Sequence, residues 1–367
     1  RIFYKEARSL AKAGADVVVM CAYDKGIPEN DGGVNFIKHG GGGTLTRRVC
    51  TINKLEASIS SYDFDVVHCH EPDALVAALR VKKNSRVKVI FDSHESWSAV
   101  FAGKFPKPFW NVAQYAYSLL ERRLVHDCDG AIGASWAISE YLSSIIPGRP
   151  VANILNVPVV EVFGAPIDRT WNETTFICHD GHLKFNRGLR TMAQATRLLV
   201  QNHGHDVVFK IVGDVFGEEK IWLEDYIRKN SLQNFVFRTG WLPYADVGHA
   251  LSTCHIGLVA LQKTPNNVVT SSNKVFNYML YGIPFVGPEF RISKQKLARE
   301  EKCGLLADSR SPDAYADAID FMIRNREATI EMSKRATAAS LERYRWCHME
   351  PKLYRLYDEV LGKRPNS

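Results

Sequence analysis

Cys178-His-Asp-Gly-His-Leu-Lys-Phe-Asn-Arg-Gly-Leu189 is the stretch on which the reading of this chain turns. The β-rich apolar run Thr175–Cys178 leads into it, Gly181 sits at the turn, and the spacing predicts a helix over Gly188–Gln201. A helix N-terminus leaves N–H groups free and carries partial positive charge, which suits a phosphate. Lys184 and Arg187 add full charges at the same place. A plain strand-to-helix turn with two exposed basic residues has the same pattern, so the surrounding chain must decide.

Working outward, short apolar runs alternate with helical segments, the signature of parallel-sheet α/β architecture. The second half predicts further strands at Val207–Val212, Phe235–Arg238, Ile256–Val259, Pro284–Val286 and Gly304–Leu306. Helices fit between them at Lys220–Asn230, Tyr244–Ser252, Lys274–Tyr281 and Pro312–Asn325. The first half predicts strands at Asp16–Met20, Val66–Cys69, Val87–Phe91 and Gly130–Gly133, with helices at Ile2–Ala13, Ala74–Arg80 and Phe109–His126. At 367 residues the chain exceeds the size at which one core stops growing, about 250–300 residues. The proline-rich Pro147–Pro166 reads as a linker. The expected division is 1–160, 161–345 and a closing helical segment 346–367. A doubly wound domain normally opens with a strand, and none precedes the helix at Ile2, which points to residues missing before Arg1.

Open α/β sheets bind ligands beyond the carboxyl ends of their strands. The first-half strands end in polar clusters there: His68-Cys-His70-Glu71, Asp92-Ser-His94-Glu95 and Ala134-Ser135. In the second half, Ser271-Ser-Asn-Lys-Val-Phe-Asn opens a helix with hydroxyl and amide caps. Lys274 lies in its first turn, where a cation opposes the helix dipole unless an anion shares the site. Asn277 follows three residues later on the same face, while Tyr278 and Met279 read as core.

Composition narrows the classes. No run reaches the ~18 apolar residues of a membrane span. The formal net charge is +7, with a dense basic stretch at Arg80, Lys82, Lys83, Arg86 and Lys88, and with Lys104 and Lys107 beyond. That charge is compatible with peripheral contact at an anionic membrane; without aromatic-basic interleaving or a binding motif it does not indicate nucleic acid. The eight cysteines are scattered, mostly in apolar runs, and read as buried free thiols of a reducing cytoplasm rather than metal ligands. Asp63-Phe-Asp65 and Asp127-Cys-Asp129 precede strands and read as turns leading into them, not as metal motifs. His68 and His70 alternate on one strand face; with Glu71 they fall short of a metal-ligand set. His70 reads as an acceptor contact and His68 as packed. Gly40–Gly43 reads as a flexible loop.

Four motifs now line up: Gly-x-Leu-x-x-x-Arg-Gly-Leu (181–189), Thr239-Gly-Trp-Leu-Pro243, Ile256-Gly-Leu-Val-Ala-Leu261 and Ser272-Asn-Lys-Val-Phe-Asn-Tyr-Met-x-x-Gly-x-Pro284. Together they resemble the retaining GT-B glycosyltransferases of the family 4 type. Lys5-Glu-Ala-Arg-Ser-Leu-Ala-Lys-Ala-Gly14, Phe64-Asp-Val-Val-His-Cys-His70, Phe91-Asp-Ser-His-Glu95, Asn156-Val-Pro158 and Tyr344–Leu361 agree, so the resemblance spans the chain. It implies two facing Rossmann-like domains with a deep interdomain cleft. It also implies sugar transfer from a nucleoside-diphosphate sugar, as co-substrate, to a glycan or glycolipid acceptor, with retention and without cofactor or metal.

Residue by residue, the resemblance implies that Arg187 holds the donor diphosphate, with His182 in place of the family's other basic residue and Lys184 placed to share the load. Gly181, Thr270, Ser271, Ser272, Asn273 and Lys274 are expected to line the donor site. Asn277 stands where the family has a ribose-binding glutamate. Val269 stands where many members have a second glutamate, leaving Asn267, Thr270 and Ser271 to substitute. His94 matches a histidine that reaches the donor sugar, and His70 and Glu95 are expected on the acceptor side. The family's commonest setting is polysaccharide or glycolipid assembly at the cytoplasmic membrane face. Two other readings stay open: a sugar-nucleotide 2-epimerase of the same fold, for which no acid/base set stands out, and a non-catalytic sugar-nucleotide-binding member, which the changes at 269 and 277 favour.

Overall fold

The computed structural model describes residues 1–21, 29–38, 45–163, 171, 174–290 and 296–363; the Gly40–Gly43 run lies outside them. The chain divides into two compact units, Arg1–Leu155 with Cys347–Ser367, and Asn156–Trp346.

The first unit contains β1 (Val17–Cys21), β2 (Asn30–Asp31), β3 (Val34–Lys38), β4 (Val66–Cys69), β5 (Lys88–Ser93), β6 (Gly130–Gly133) and β7 (Val151–Asn153). Strands β4 to β7 form a parallel sheet in sequence order. Strand β3 pairs parallel with β1 and antiparallel with β2. Fully buried Val89, Phe91 and Ala131 pack on Leu75, Ala78, Val125 and Leu142 from flanking helices. Each such large side chain contributes roughly 1.5–3 kcal/mol. The Glu350–Leu361 helix belongs to this unit: Tyr354 Oη donates to Ser9 O at 3.0 Å, and Leu356 and Val360 lie against Gly130.

The second unit holds β8 (Thr175–Asp180), β9 (Val207–Val212), β10 (Val236–Arg238), β11 (Ile256–Leu258), β12 (Phe285–Pro288) and β13 (Gly304–Ala307). They form one parallel sheet in the order β10-β9-β8-β11-β12-β13. The helices Leu189–Gln201 and Pro312–Arg324 cover it with Leu189, Met192, Leu199, Tyr315, Ile319 and Met322. Gly188 makes the first of these helices possible. Its φ is +91°, and a Cβ there would collide with Ala260 O.

Sequence reading and structure agree on the bounds of β4, β6, β9 and the Tyr244–Ser252 helix. Strand β7 was hidden in the proline-rich stretch, and the Trp136–Ile145 helix behind Ser135, read as a strand tip. Ser135 is that helix's cap, accepting from Ile138 N at 3.2 Å. The Arg326–Arg343 helix buries Thr329, Ala336, Ala339 and Ser340, which make no apolar stripe to read. All eight cysteines are free, but Cys50 and Cys347 are exposed rather than buried. Asp129 accepts from Val89 N at 2.8 Å and pairs with Lys82 Nζ at 2.6 Å, a role internal to the start of the sheet.

The Trp110–His126 helix turns Val112, Tyr115, Leu119 and Leu120 outward, each more than half exposed, and buries Glu121. Tyr141 Oη donates to Glu121 Oε2 at 3.1 Å, yet burial still pushes this carboxyl up to about 7. A carboxyl raised on folding contributes stability that is full below its unfolded pKa, near 4.3, and is lost as pH rises through 7. We therefore expect Glu121 to cost up to about 3 kcal/mol between pH 5 and pH 8. Glu121→Gln keeps an acceptor for Tyr141 and should remove that part of the pH slope in urea unfolding. An unchanged slope would show that Glu121 is ionised in the folded state throughout.

Candidate functional site

The second sheet sets its own ligand position. The chain lays down β8, moves through β9 to β10 on one side, then returns to place β11 on the other side of β8. The loops after β8 and β11 therefore diverge from adjacent strand ends, the switch point at which open α/β sheets bind ligands.

After β8, Gly181 takes φ +88° and Gly213, after β9, takes φ +144°. A Cβ on Gly213 would lie 2.7 Å from Gly181 O, so the two loops touch. Lys184 is exposed and extended ahead of a short turn, Phe185–Arg187. Arg187 is held by a bond from its Nη1 to His182 O at 2.9 Å. After β11 the short helix Pro265–Val269 intervenes, then Ser272 precedes the helix Asn273–Leu280 without a side-chain capping bond. Lys274, in that helix's first turn, reaches back to β8: a Cβ on Gly181 would stand 3.3 Å from its Nζ.

Beneath these groups lies a buried polar layer. Asn277 Nδ2 donates to Asp180 Oδ2 at 2.7 Å. Asp180 N donates to Tyr278 Oη at 3.0 Å, and that hydroxyl lies 3.3 Å from both Cys178 O and Leu258 O. Tyr278 is thus core, as expected, and also a tie between β8, β11 and the helix. His179 and Asp180 carry no motif signal; only their place at the end of a strand marks them.

The electrostatics are those of an anion site. Burial lowers the Lys274 ammonium below its ordinary value, Asp180 opposes this, and Arg187 adds to it. Burial, Lys184 and Arg187 likewise lower His182. His179 is pushed well down by burial and then by Lys274. Its Nε2 is buried without a hydrogen-bond partner, and so is Ser271 Oγ. Among the described residues, Lys184, Arg187 and Lys274 have no carboxylate within 4.0 Å.

The structure thus brings Gly181, His182, Lys184, Arg187, Lys274 and Asn277 to one strand end, with Ser271, Ser272 and Asn273 at the opening of the adjoining helix. Thr270 ends the short helix, its N–H on Asn266 O at 3.1 Å. Asn267 is engaged locally, its Nδ2 donating to Gln262 O at 2.8 Å.

In the first unit, His70 and His94 meet at the ends of β4 and β5, His70 Nδ1 lying 3.1 Å from His94 Nε2. Buried Asp92 lies below them, 3.4 Å from His70 Nδ1 and 3.3 Å from His94 Nε2. Burial would raise the Asp92 carboxyl, but Arg1 and then the histidines hold it well below the usual range. Glu95 is exposed at the same strand end. His68 is packed, with Nδ1 3.0 Å from Tyr357 Oη. Glu71, the residue the sequence pairs with these histidines, is not in the cluster; Glu6 and Asp92 are.

A doubly wound unit that gathers cations without carboxylate partners and a helix N-terminus at its switch point has the arrangement seen in phosphate-binding α/β domains. Comparison with known proteins narrows the class. The Glycosyltransferase Family 4 model matches residues 1–156, and the Glycosyl transferases group 1 model matches residues 174–325. The chain belongs to these glycosyltransferases. Among solved structures it is similar to a sucrose-phosphate synthase from Thermosynechococcus elongatus, with 14% identity and TM-score 0.79 over 97% of this chain and 92% of that one. It is also similar to a glycosyltransferase from Rickettsia africae ESF-5 (15%, TM-score 0.74, 98% and 93%). A third is Anabaena HepE, solved in complex with UDP (16%, TM-score 0.72, 96% and 94%). At these identities the likeness establishes the fold, GT-B. No curated protein matches the chain.

Replacing Tyr278 by Phe leaves the Asp180 N–H without its acceptor. A buried donor left unpaired costs about 1–3 kcal/mol. Tyr278→Phe should lower stability by that amount in urea unfolding; a change within ~0.5 kcal/mol would mean that the hydroxyl is not what holds Asp180.

Proposed function

We propose that this glycosyltransferase moves a sugar from a nucleoside-diphosphate sugar to a glycan or glycolipid acceptor with retention of anomeric configuration. The observation that carries this reading is the convergence of Lys184, Arg187 and Lys274, unpaired by carboxylates, on the end of β8. Breaking the anomeric bond builds negative charge on the leaving diphosphate, and fixed cations and N–H groups stabilise it without reorganisation. Arg187, locked by its bond to His182 O, is the most preorganised of the three. In this reading the backbone N–H groups opening the Asn273–Leu280 helix and the unpartnered Ser271 Oγ supply further donors, and no metal is required for charge stabilisation. His94 takes part in the transfer step, while His70 and Glu95 serve the acceptor. Attack on the same face as the departing phosphate accounts for retention. Anabaena HepE was solved with UDP and with UDP-glucose, which makes uridine diphosphates the first donors to try.

The test is a thermal-shift screen against UDP, GDP, ADP and their sugars. One nucleotide should raise Tm, and Arg187→Ala and Lys274→Ala should each weaken it roughly 10–100-fold, the worth of a charge-assisted hydrogen bond. No stabilisation by any nucleotide would overturn the donor-site reading, while stabilisation without sugar transfer would favour the non-catalytic sugar-nucleotide-binding member.

Acceptor delivery at a membrane surface belongs to the same reading. No helix among the described residues is long and apolar enough to cross a membrane. The exposed Phe105, Phe109, Val112, Tyr115 and Leu119 form an apolar stripe on the first unit, with Lys104, Lys107, Arg122 and Arg123 beside it. Such a face suits an anionic bilayer, which rewards apolar burial and nearby cations together. The protein should float with vesicles containing phosphatidylglycerol and remain in the dense fraction with purely zwitterionic vesicles. Equal flotation with both would remove the electrostatic part.

A further inference from the structure

The cluster beneath β4 and β5 holds more than the transfer reading uses. Glu6, His68, His70 and Asp92 each present a ligand atom, and these atoms all lie within 4.8 Å of one another. We propose that these four side chains bind a divalent first-row transition-metal ion, of which Zn2+ is the representative. This goes beyond the transferase reading and does not rest on it.

Two orphaned atoms carry the argument. Glu6 Oε2 and His68 Nε2 are buried with no hydrogen-bond partner, and both belong to the same four-residue group. Glu6 is only 2% exposed. A buried polar atom without a partner is costly, and with the His68 proton on Nδ1 both atoms offer lone pairs that a cation would stabilise together.

The separations agree. His68 Nε2 lies 3.6 Å from Asp92 Oδ2, and His70 Nε2, whose other ring nitrogen meets His94 Nε2 at 3.1 Å, lies 3.7 Å from Glu6 Oε2. These are long for hydrogen bonds. They are close to the roughly 3.3–3.5 Å that separates ligands placed tetrahedrally at ~2.0–2.2 Å from a metal.

A supporting shell is also in place. Tyr357 Oη meets His68 Nδ1 at 3.0 Å, which leaves Nε2 as the free nitrogen. Arg1 binds Glu6 Oε1 through Nε at 2.8 Å and Asp92 through Nη2 at 2.7 and 3.0 Å, orienting both carboxylates while leaving Glu6 Oε2 open. Two imidazoles with two carboxylates suit Zn2+ or a neighbouring ion better than Mg2+ or Ca2+, which prefer oxygen alone.

The second group of this kind, His203, His205 and Asp320, is the internal control. There the ligand atoms already satisfy one another: His205 Nε2 lies 2.6 Å from Asp320 Oδ1, and Arg324 Nε donates to the same oxygen at 2.8 Å.

The experiment is Zn2+ titration of the whole chelator-stripped chain by calorimetry, with metal content after dialysis read by mass spectrometry and no nucleotide present. One ion per chain is expected, with Tm rising as Zn2+ is added. His68→Ala and Glu6→Gln should each weaken binding by on the order of 100-fold or more, and Tyr357→Phe by roughly 10–100-fold, as loss of a ligand's orienting partner does. His203→Ala with His205→Ala should leave that ion bound. Tyr357→Phe keeps the ring and its packing, so it remains informative should a ligand variant fail to fold. Absence of stoichiometric Zn2+ in the parent chain overturns the proposal. So does an affinity unchanged in Glu6→Gln and Tyr357→Phe, or binding lost only with His203 and His205. Because no donor is present, failure here is distinct from failure of the transferase reading.

Discussion

The hydrogen bond from Asn277 Nδ2 to Asp180 Oδ2, 2.7 Å long and buried, links the end of β8 to the helix that follows β11. The placement of Lys274 and Tyr278 at the switch point goes with that link. It sets the Asn273–Leu280 helix so that Lys274 reaches over Gly181, and Tyr278, one residue on, bonds Asp180 N from below. The same carboxylate opposes the loss of charge on Lys274, which burial and Arg187 drive. A buried polar pair of this kind contributes little net stability on its own. Its effect is to favour one arrangement of helix against strand, the one in which Asp180 and Asn277 satisfy each other.

Glycine supplies the second constraint, through space rather than charge. Gly181 and Gly213 bring the loops after β8 and β9 into contact, and Gly188 lets the Leu189–Gln201 helix start against Ala260. Side chains at these places would separate the loops and spread the cations. Compactness here and charge concentration are therefore one property of the backbone, and a phosphate benefits from both.

Much of this was legible in the sequence because period and composition report local geometry. The strands of the second sheet announce themselves as apolar runs, and Lys184, Arg187 and Lys274 stand out as cations at helix starts. Two kinds of feature were not legible. Elements without an apolar stripe, such as Arg326–Arg343 with its buried Thr, Ala and Ser, carry no period to detect. Long-range partners are invisible along the chain: His68 and His70 alternate on β4, but nothing local says that Glu6 and Asp92, rather than Glu71, complete their surroundings. Asp92 comes beside them because β5 pairs with β4, and Glu6 from a helical segment far upstream, and no single sequence window contains either contact.

The same limit explains how Asn277 is best understood. Set beside the family pattern, it is a glutamate lost, and the changes at 277 and 269 together suggest a weakened site. In the structure the neighbour of Asn277 is a carboxylate, Asp180, at hydrogen-bond distance. A glutamate at 277 would bring two carboxylates within about 3 Å in a buried place, and one would have to take up a proton. An amide avoids this, since its Nδ2 donates where a second carboxylate would repel. The carboxyl group at this strand end belongs to residue 180 rather than residue 277. Asn277 and Asp180 are therefore best understood as a hydrogen-bonded pair. Val269 has no such compensation. Position 269 closes the short Pro265–Val269 helix, and Asn267 beside it spends its amide on Gln262 O. Close by, the Ser271 hydroxyl is buried without a hydrogen-bond partner. A donor pocket built on hydroxyls rather than a second carboxylate would rest on neutral hydrogen bonds, which are individually weaker than charged ones and more tolerant of the sugar's stereochemistry.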